Sequence, residues 1–186
     1  MGRVSQAQAD ENRKRVVETA SRQFRKLGTH VSVADLMKAS GLTHGGFYKQ
    51  FASKEALVDE ATAHAFGELD KRLSAALAAH AGQADAARQA FIDAYLSAEH
   101  RDNAADGCPA AALAADIARE TGDSVARRIY TDGIRDYADW LSTDDRDGLV
   151  RLSTLLGALL LARATAGSNL SEEILTAART ALTETC

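Results

Sequence analysis

The sequence predicts an all-α fold of about nine helices. Three observations carry that prediction. Apolar residues recur at spacings of three and four along most of the chain, residues that favour helix starts stand before these runs, and no stretch reads as a convincing strand. With 186 residues, 46% of them hydrophobic and 26% charged, the composition is that of a folded globular chain long enough for a sizeable core and one or two domains.

Met1 to Ala9 is polar and aperiodic and reads as a frayed arm; its Arg3 suits either a reach into a minor groove or no role at all. Asp10 and Glu11 favour a helix start, Val16, Ala20, Phe24 and Leu27 form the apolar stripe of that first helix, and Gly28 ends it. Ser32 to Asp35 reads as a capping box opening a short second helix, with Val31 and Leu36 as its hydrophobic staple, and Gly41 supplies a tight turn. In the third helix, Phe47 and Phe51 share one face, while His44 and Tyr48 share another with Lys49 beside them. Gly45 and Gly46 weaken a helix by about 1 kcal/mol each relative to Ala. They mark either a close approach of backbone to a partner or a short, frayed helix. Two short helices joined by a glycine turn, the second with polar groups outward, form the pattern of a helix-turn-helix.

Ser53 caps a long fourth helix carrying Leu57, Ala61, Phe66, Leu69, Leu73 and Leu77, which ends in the stretch Ala78 to Ala84. A fifth carries Phe91, Ile92, Tyr95 and Leu96, and Arg101 to Gly107 reads as a polar loop. Cys108-Pro109 opens a sixth helix, proline being suited to a first helical position. Asp123-Ser124 start a seventh with Val125, Ile129, Ile134, Tyr137 and Leu141 on its buried side. Thr143-Asp144-Asp145 cap an eighth that presents Leu149, Leu152, Leu156, Leu159 and Leu160 as one stripe, widened by Leu155 and Leu161. Ser171 caps a ninth, with Leu170 and Leu175 at staple positions. The leucine stripe suits a dimer interface in which the last two helices pair with their copies, and it equally suits packing within one chain.

The net charge of -4 is unevenly spread: residues 1–55 hold 10 Lys and Arg against 5 Asp and Glu. A basic first segment with an acidic remainder suits a chain of which one part meets phosphate. Two distant cysteines, Cys108 and Cys186, form no framework, so reduced thiols and a cytoplasmic protein are expected. No signal-peptide pattern follows Met1, and the longest apolar stretch, Leu155 to Ala162, falls far short of a membrane span. No nucleotide-binding, serine-hydrolase or metal-ligand motif is present, so neither catalysis, a cofactor nor a metal is expected. Cys108, at a helix start where the macrodipole lowers a thiol pKa, is a candidate thiol sensor; the competing account is a small residue that merely precedes the helix.

Over residues 11 to 58 the chain resembles the DNA-binding domain of TetR/AcrR-family regulators. The resemblance is carried by Val16, Val17, Ala20, Phe24 and Gly28, by Val33 to Ala39, by Gly41-Leu42-Thr43, and most specifically by Phe47-Tyr48, Phe51 and Ser53-Lys54-Glu55-Ala56-Leu57. It implies a helix-turn-helix domain over residues 1–55 and a helical effector-binding and dimerisation domain over 56–186. It further implies a homodimeric repressor that binds a palindromic double-stranded DNA operator and is released by a small-molecule effector. By the same resemblance Thr43, His44 and Lys49 face bases, and Gly46, Tyr48, Gln50 and Lys54 face the phosphate backbone. Gly45 and Gly46 stand where family members often carry larger side chains, so no side-chain contact is expected there. The contrasting class is a helical binding module or enzyme without DNA binding, for which no catalytic constellation is visible.

Overall fold

The computed structural model describes residues 6–143 and 148–183. They form nine α-helices and one 3-10 helix: α1 (Gln6–Leu27), α2 (Val33–Ala39), the 3-10 helix His44–Lys49, α3 (Lys54–Ala79), α4 (Ala84–Tyr95), α5 (Ala98–Asp102), α6 (Pro109–Arg119), α7 (Val125–Leu141), α8 (Gly148–Ala164) and α9 (Asn169–Thr183).

The local signals act where the sequence puts them. Ser32 accepts a hydrogen bond from the Asp35 N–H, and Ser53 accepts one from the Ala56 N–H, each satisfying a donor in a first helical turn. Gly41 has φ +70°, and the Gly41 and Leu42 N–H groups donate to the Lys38 and Met37 carbonyls. That is the Schellman arrangement that stops a helix and turns the chain. Pro109 stands at the start of α6, behind Cys108.

Several expectations are corrected. Helix α1 begins at Gln6, so Gln6 to Ala9 are helical and not part of an arm; the rest of the arm, with Arg3, lies outside the described residues. The third helix is a 3-10 turn, because Gly45-Gly46 contribute too little to sustain an α-helix. Arg101 and Asp102 belong to α5, whose first turn Ser97 caps through the His100 N–H. Ser171 lies inside α9 and does not cap it: its hydroxyl donates to the Ala162 carbonyl and accepts from Arg101, fastening α9 to the end of α8. The expected cap residues Asp144 and Asp145 lie outside the described residues, as does Cys186.

Two apolar cores result. The first gathers Val16, Ala20 and Phe24 of α1, Leu36 and Met37 of α2, Phe47, Phe51, and Leu57, Val58 and Ala61 from the start of α3. Leu113 and Ile117 of α6 and Ala126 of α7 complete it. The second is built from the rest of α3 with α4 and α6 to α9, around Ile92, Leu96, Tyr137, Leu141, Leu155 and Leu159. Helix α3 therefore serves both cores. Its Asp59 accepts from the Ala126 N–H at 2.8 Å, satisfying a first-turn donor of α7. Farther along, α7 passes so near that a Cβ on Gly133 would lie 2.3 Å from the Phe66 ring.

Candidate functional site

The 3-10 helix has a buried and an exposed side, divided as the spacing of four predicts. Phe47 and Phe51 are 0% and 2% exposed and stack with ring centroids 5.4 Å apart, whereas Tyr48 is 67% exposed. His44 and Tyr48 stand edge to face on the outside, 6.3 Å between centroids. Thr43, Gly45 and Lys49 are exposed beside them, and Gly46, Gln50 and Lys54 are half-buried. No atom stands within 4 Å of where a Gly45 Cβ would be, so that position leaves bare backbone toward solvent.

Rigidity beneath this surface comes from α1. The Arg13 guanidinium donates to the Gln50 carbonyl and to Glu60 of α3, and lies 4.4 Å from the centroid of the Phe51 ring. Arg13 thus ties the end of the 3-10 helix to two long helices. Sequence reasoning missed it, since both partners are distant in the chain.

In the second core a cavity of about 470 Å³ opens between α3, α4 and the segment leading into α6, lined by Leu69, Phe91, Tyr95, His100 and Cys108 among others. Its polar groups are largely engaged. The His100 Nε2 accepts from the Cys108 N–H at 3.2 Å, so its Nδ1 carries the proton and donates to the Tyr95 carbonyl at 2.7 Å. Arg72 donates to the Asp106 carbonyl at 2.6 Å. Burial pushes the Cys108 thiol up from its ordinary value, against the lowering expected from the helix start, and the residue is 4% exposed.

The leucine stripe divides. Leu152 and Leu159 are buried in their own chain's core, 2% and 0% exposed, and Leu156 packs against it half-buried. Leu149 and Leu160 are exposed, together with Val150 and Leu161 on α8 and Leu170 on α9. Among the described residues no helix is long and apolar enough to cross a membrane, and no group of three or more His, Cys, Asp or Glu is placed to hold a metal ion.

Residues 16–61 match the family model of bacterial regulatory proteins of the tetR family. The match spans the helix-turn-helix part of the chain, from within α1 to the start of α3. The all-helical fold, with a helix-turn-helix first and a helical domain after it, is shared over most of the chain with solved structures. The reduced form of Escherichia coli NemR is 22% identical, with 92% of this chain and 95% of that one covered and a TM-score of 0.74. A TetR-family regulator from Agrobacterium tumefaciens is 19% identical, over 94% and 97%, with a TM-score of 0.76. One from Chloroflexus aurantiacus is 24% identical, over 95% and 94%, with a TM-score of 0.73. No curated protein matches the sequence.

Proposed function

We propose that this chain is a TetR-family transcriptional regulator, a homodimeric repressor that binds a palindromic operator and leaves it when a small molecule fills the cavity of the second core. Residues 1–55 form the DNA-binding part and residues 56–186 the effector-binding and dimerisation part. The observation that carries the reading is the outward face of the 3-10 helix, where exposed His44, Tyr48 and Lys49 stand on a rigid aromatic floor in a basic segment. Thr43, His44 and Lys49 read bases in the major groove. Tyr48, Gln50, Lys54 and the backbone at Gly45 and Gly46 meet phosphates, the open space at Gly45 letting the chain come close.

The dimer forms through α8 and α9. Support comes from the exposed Val150, Leu160 and Leu161, which fall on one side of α8, with Leu170 near the start of α9. Gly157 on that side has no atom within 4 Å of its Cβ position, leaving room for another helix. The effector has an apolar body, because the cavity walls are Leu69, Phe91 and Tyr95 while nearby cations are spent on carbonyls. Filling it favours a spacing of the two DNA-binding parts that no longer fits successive major grooves.

Selection of duplexes from a randomised pool by the purified protein, followed by light scattering of the complex, tests the reading. A symmetric consensus bound by two chains is expected. An enriched sequence without symmetry, bound by one chain, would overturn the dimer and operator assignments.

A further inference from the structure

The segment Asn103 to Cys108 forms one wall of the cavity, with Asn103, Asp106 and Cys108 facing it. Helix α1 grips the same segment. Arg22 pairs with Asp106, Nη1 to Oδ1 2.9 Å. One turn later the Arg25 side chain, 2% exposed, pairs with Glu68 of α3 at 2.8 Å and donates to the Gly107 carbonyl at 3.4 Å. Arg72 holds the Asp106 carbonyl from α3. On the α8 side, Arg163 donates to the carbonyls of His100 and Arg101, and a Cβ on Gly107 would lie 2.9 Å from its Nη2. The segment therefore has no slack: a guest that pushes it outward must break its bonds to α1, and Arg25 would lose an acceptor for a buried charged donor.

The other end of α1 reaches the DNA-facing turn. Val16, Ala20 and Phe24 share the first core with Phe47 and Phe51, and Arg13 holds the Gln50 carbonyl. We infer that the Asn103–Cys108 segment, gripped by Arg22 and Arg25, is the element through which the cavity and the DNA face are coupled, with α1 as the rigid connection. This rests on the proposed DNA and effector faces. Coupling of this kind is reciprocal, so bound DNA must in turn hold the segment in place.

Cys108, buried where the segment enters α6, reports that hold through the rate at which its thiol is labelled. The test uses the full chain carrying Cys186→Ser, N-ethylmaleimide as probe, and a duplex selected from a randomised pool by the unaltered protein. Saturating duplex is expected to slow labelling of Cys108 roughly 5-fold or more. In Asp106→Asn and in Arg22→Gln labelling without DNA is expected to quicken and protection by DNA to shrink toward none, with the double variant no worse than either single one. The exchange Arg22→Asp with Asp106→Arg restores protection, and Arg135→Gln, altering an exposed pair on α7, leaves it unchanged. Full protection in both single variants, or binding of the duplex with no change in labelling of the unaltered protein, would overturn the inference. If no duplex can be selected, the DNA-face assignment fails first and takes this inference with it.

Discussion

Arg13 lies over the ring of Phe51, its guanidinium carbon 4.4 Å from the centroid, while the same group donates to the Gln50 carbonyl and to Glu60. One planar fork thereby serves an aromatic face, a backbone oxygen and a carboxylate, a combination that lysine cannot reproduce. Arg13→Lys is expected to lower stability by about 1 to 2 kcal/mol, discounted for half-exposure, and to weaken DNA binding although no base contact is touched. Thermal melting and duplex titration check this; a lysine variant equal to the parent in both would show that the fork is dispensable.

Residues 1–55 carry 10 Lys and Arg against 5 Asp and Glu, so DNA affinity should fall steeply with salt even though the whole chain is acidic. Lys54→Gln should flatten the dependence of log affinity on log salt by about 1 per protomer, weakening all sequences alike. Titrations at several salt concentrations decide it, and an unchanged slope would place Lys54 off the phosphates.

What was legible in the sequence was local. The Ser32 and Ser53 caps, the turn at Gly41 and the burial of Phe47 and Phe51 depend on neighbours within a few positions, and each stands as expected. What was not legible depends on distant partners. Nothing near Arg25 in the chain signals its burial, because its partner Glu68 stands 43 residues later. Gly133 is where α7 admits the Phe66 ring, a contact between residues far apart in the chain. The leucines of α8 are apolar nearly all round, so periodicity alone could not tell which ones their own chain would claim. At the site, the outward side of Tyr48 was legible, but the 3-10 geometry and Arg13 were not, one decided by marginal helix energetics and the other by tertiary contacts.

His44 and Tyr48 divide the work on the exposed face. Loss of a phosphate hydrogen bond weakens every sequence equally, whereas loss of a base contact relaxes one position in each half-site by about 1 to 3 kcal/mol. Tyr48→Phe is expected to lower affinity with the preferred sequence intact, and His44→Ala to flatten one symmetric pair of positions. Repeating the duplex selection with each variant checks the assignment; a changed consensus for the first, or an unchanged one for the second, would reverse the roles.

Adjacent leucines on α8 should respond oppositely. Leu159 is fully buried in its own chain, so Leu159→Ala should cost about 2 to 5 kcal/mol of stability. Leu160 is 45% exposed, so Leu160→Glu should leave the fold standing but put a charge into the dimer face and yield a monomer with weak DNA binding. Light scattering and denaturant unfolding separate the two, and a dimeric Leu160→Glu would remove this face from the interface.

Burial, the largest influence, lowers the His100 pKa from its ordinary 6.5, opposed by the hydrogen bond to the Tyr95 carbonyl and reinforced by the nearby Arg163 and Arg72 charges. A protonated ring could no longer accept the Cys108 N–H, so the geometry and the shift agree on a neutral imidazole. Above pH 6.5 the ring is neutral in both folded and unfolded chains and contributes no pH dependence. As pH falls through 6.5 the unfolded chain takes up a proton that the folded chain refuses, and stability declines until the folded value is reached. His100→Gln should therefore be less stable at neutral pH by about 1 to 3 kcal/mol, having lost well-placed partners, yet lose less on acidification. Melting curves for both proteins from about pH 7.5 to about 5.5 test this, because carboxylates common to both cancel in the comparison. Parallel curves would assign the acid sensitivity to other groups, whereas converging curves would locate it at the wall of the cavity, where protonation leaves the Cys108 N–H, just before α6, without its acceptor.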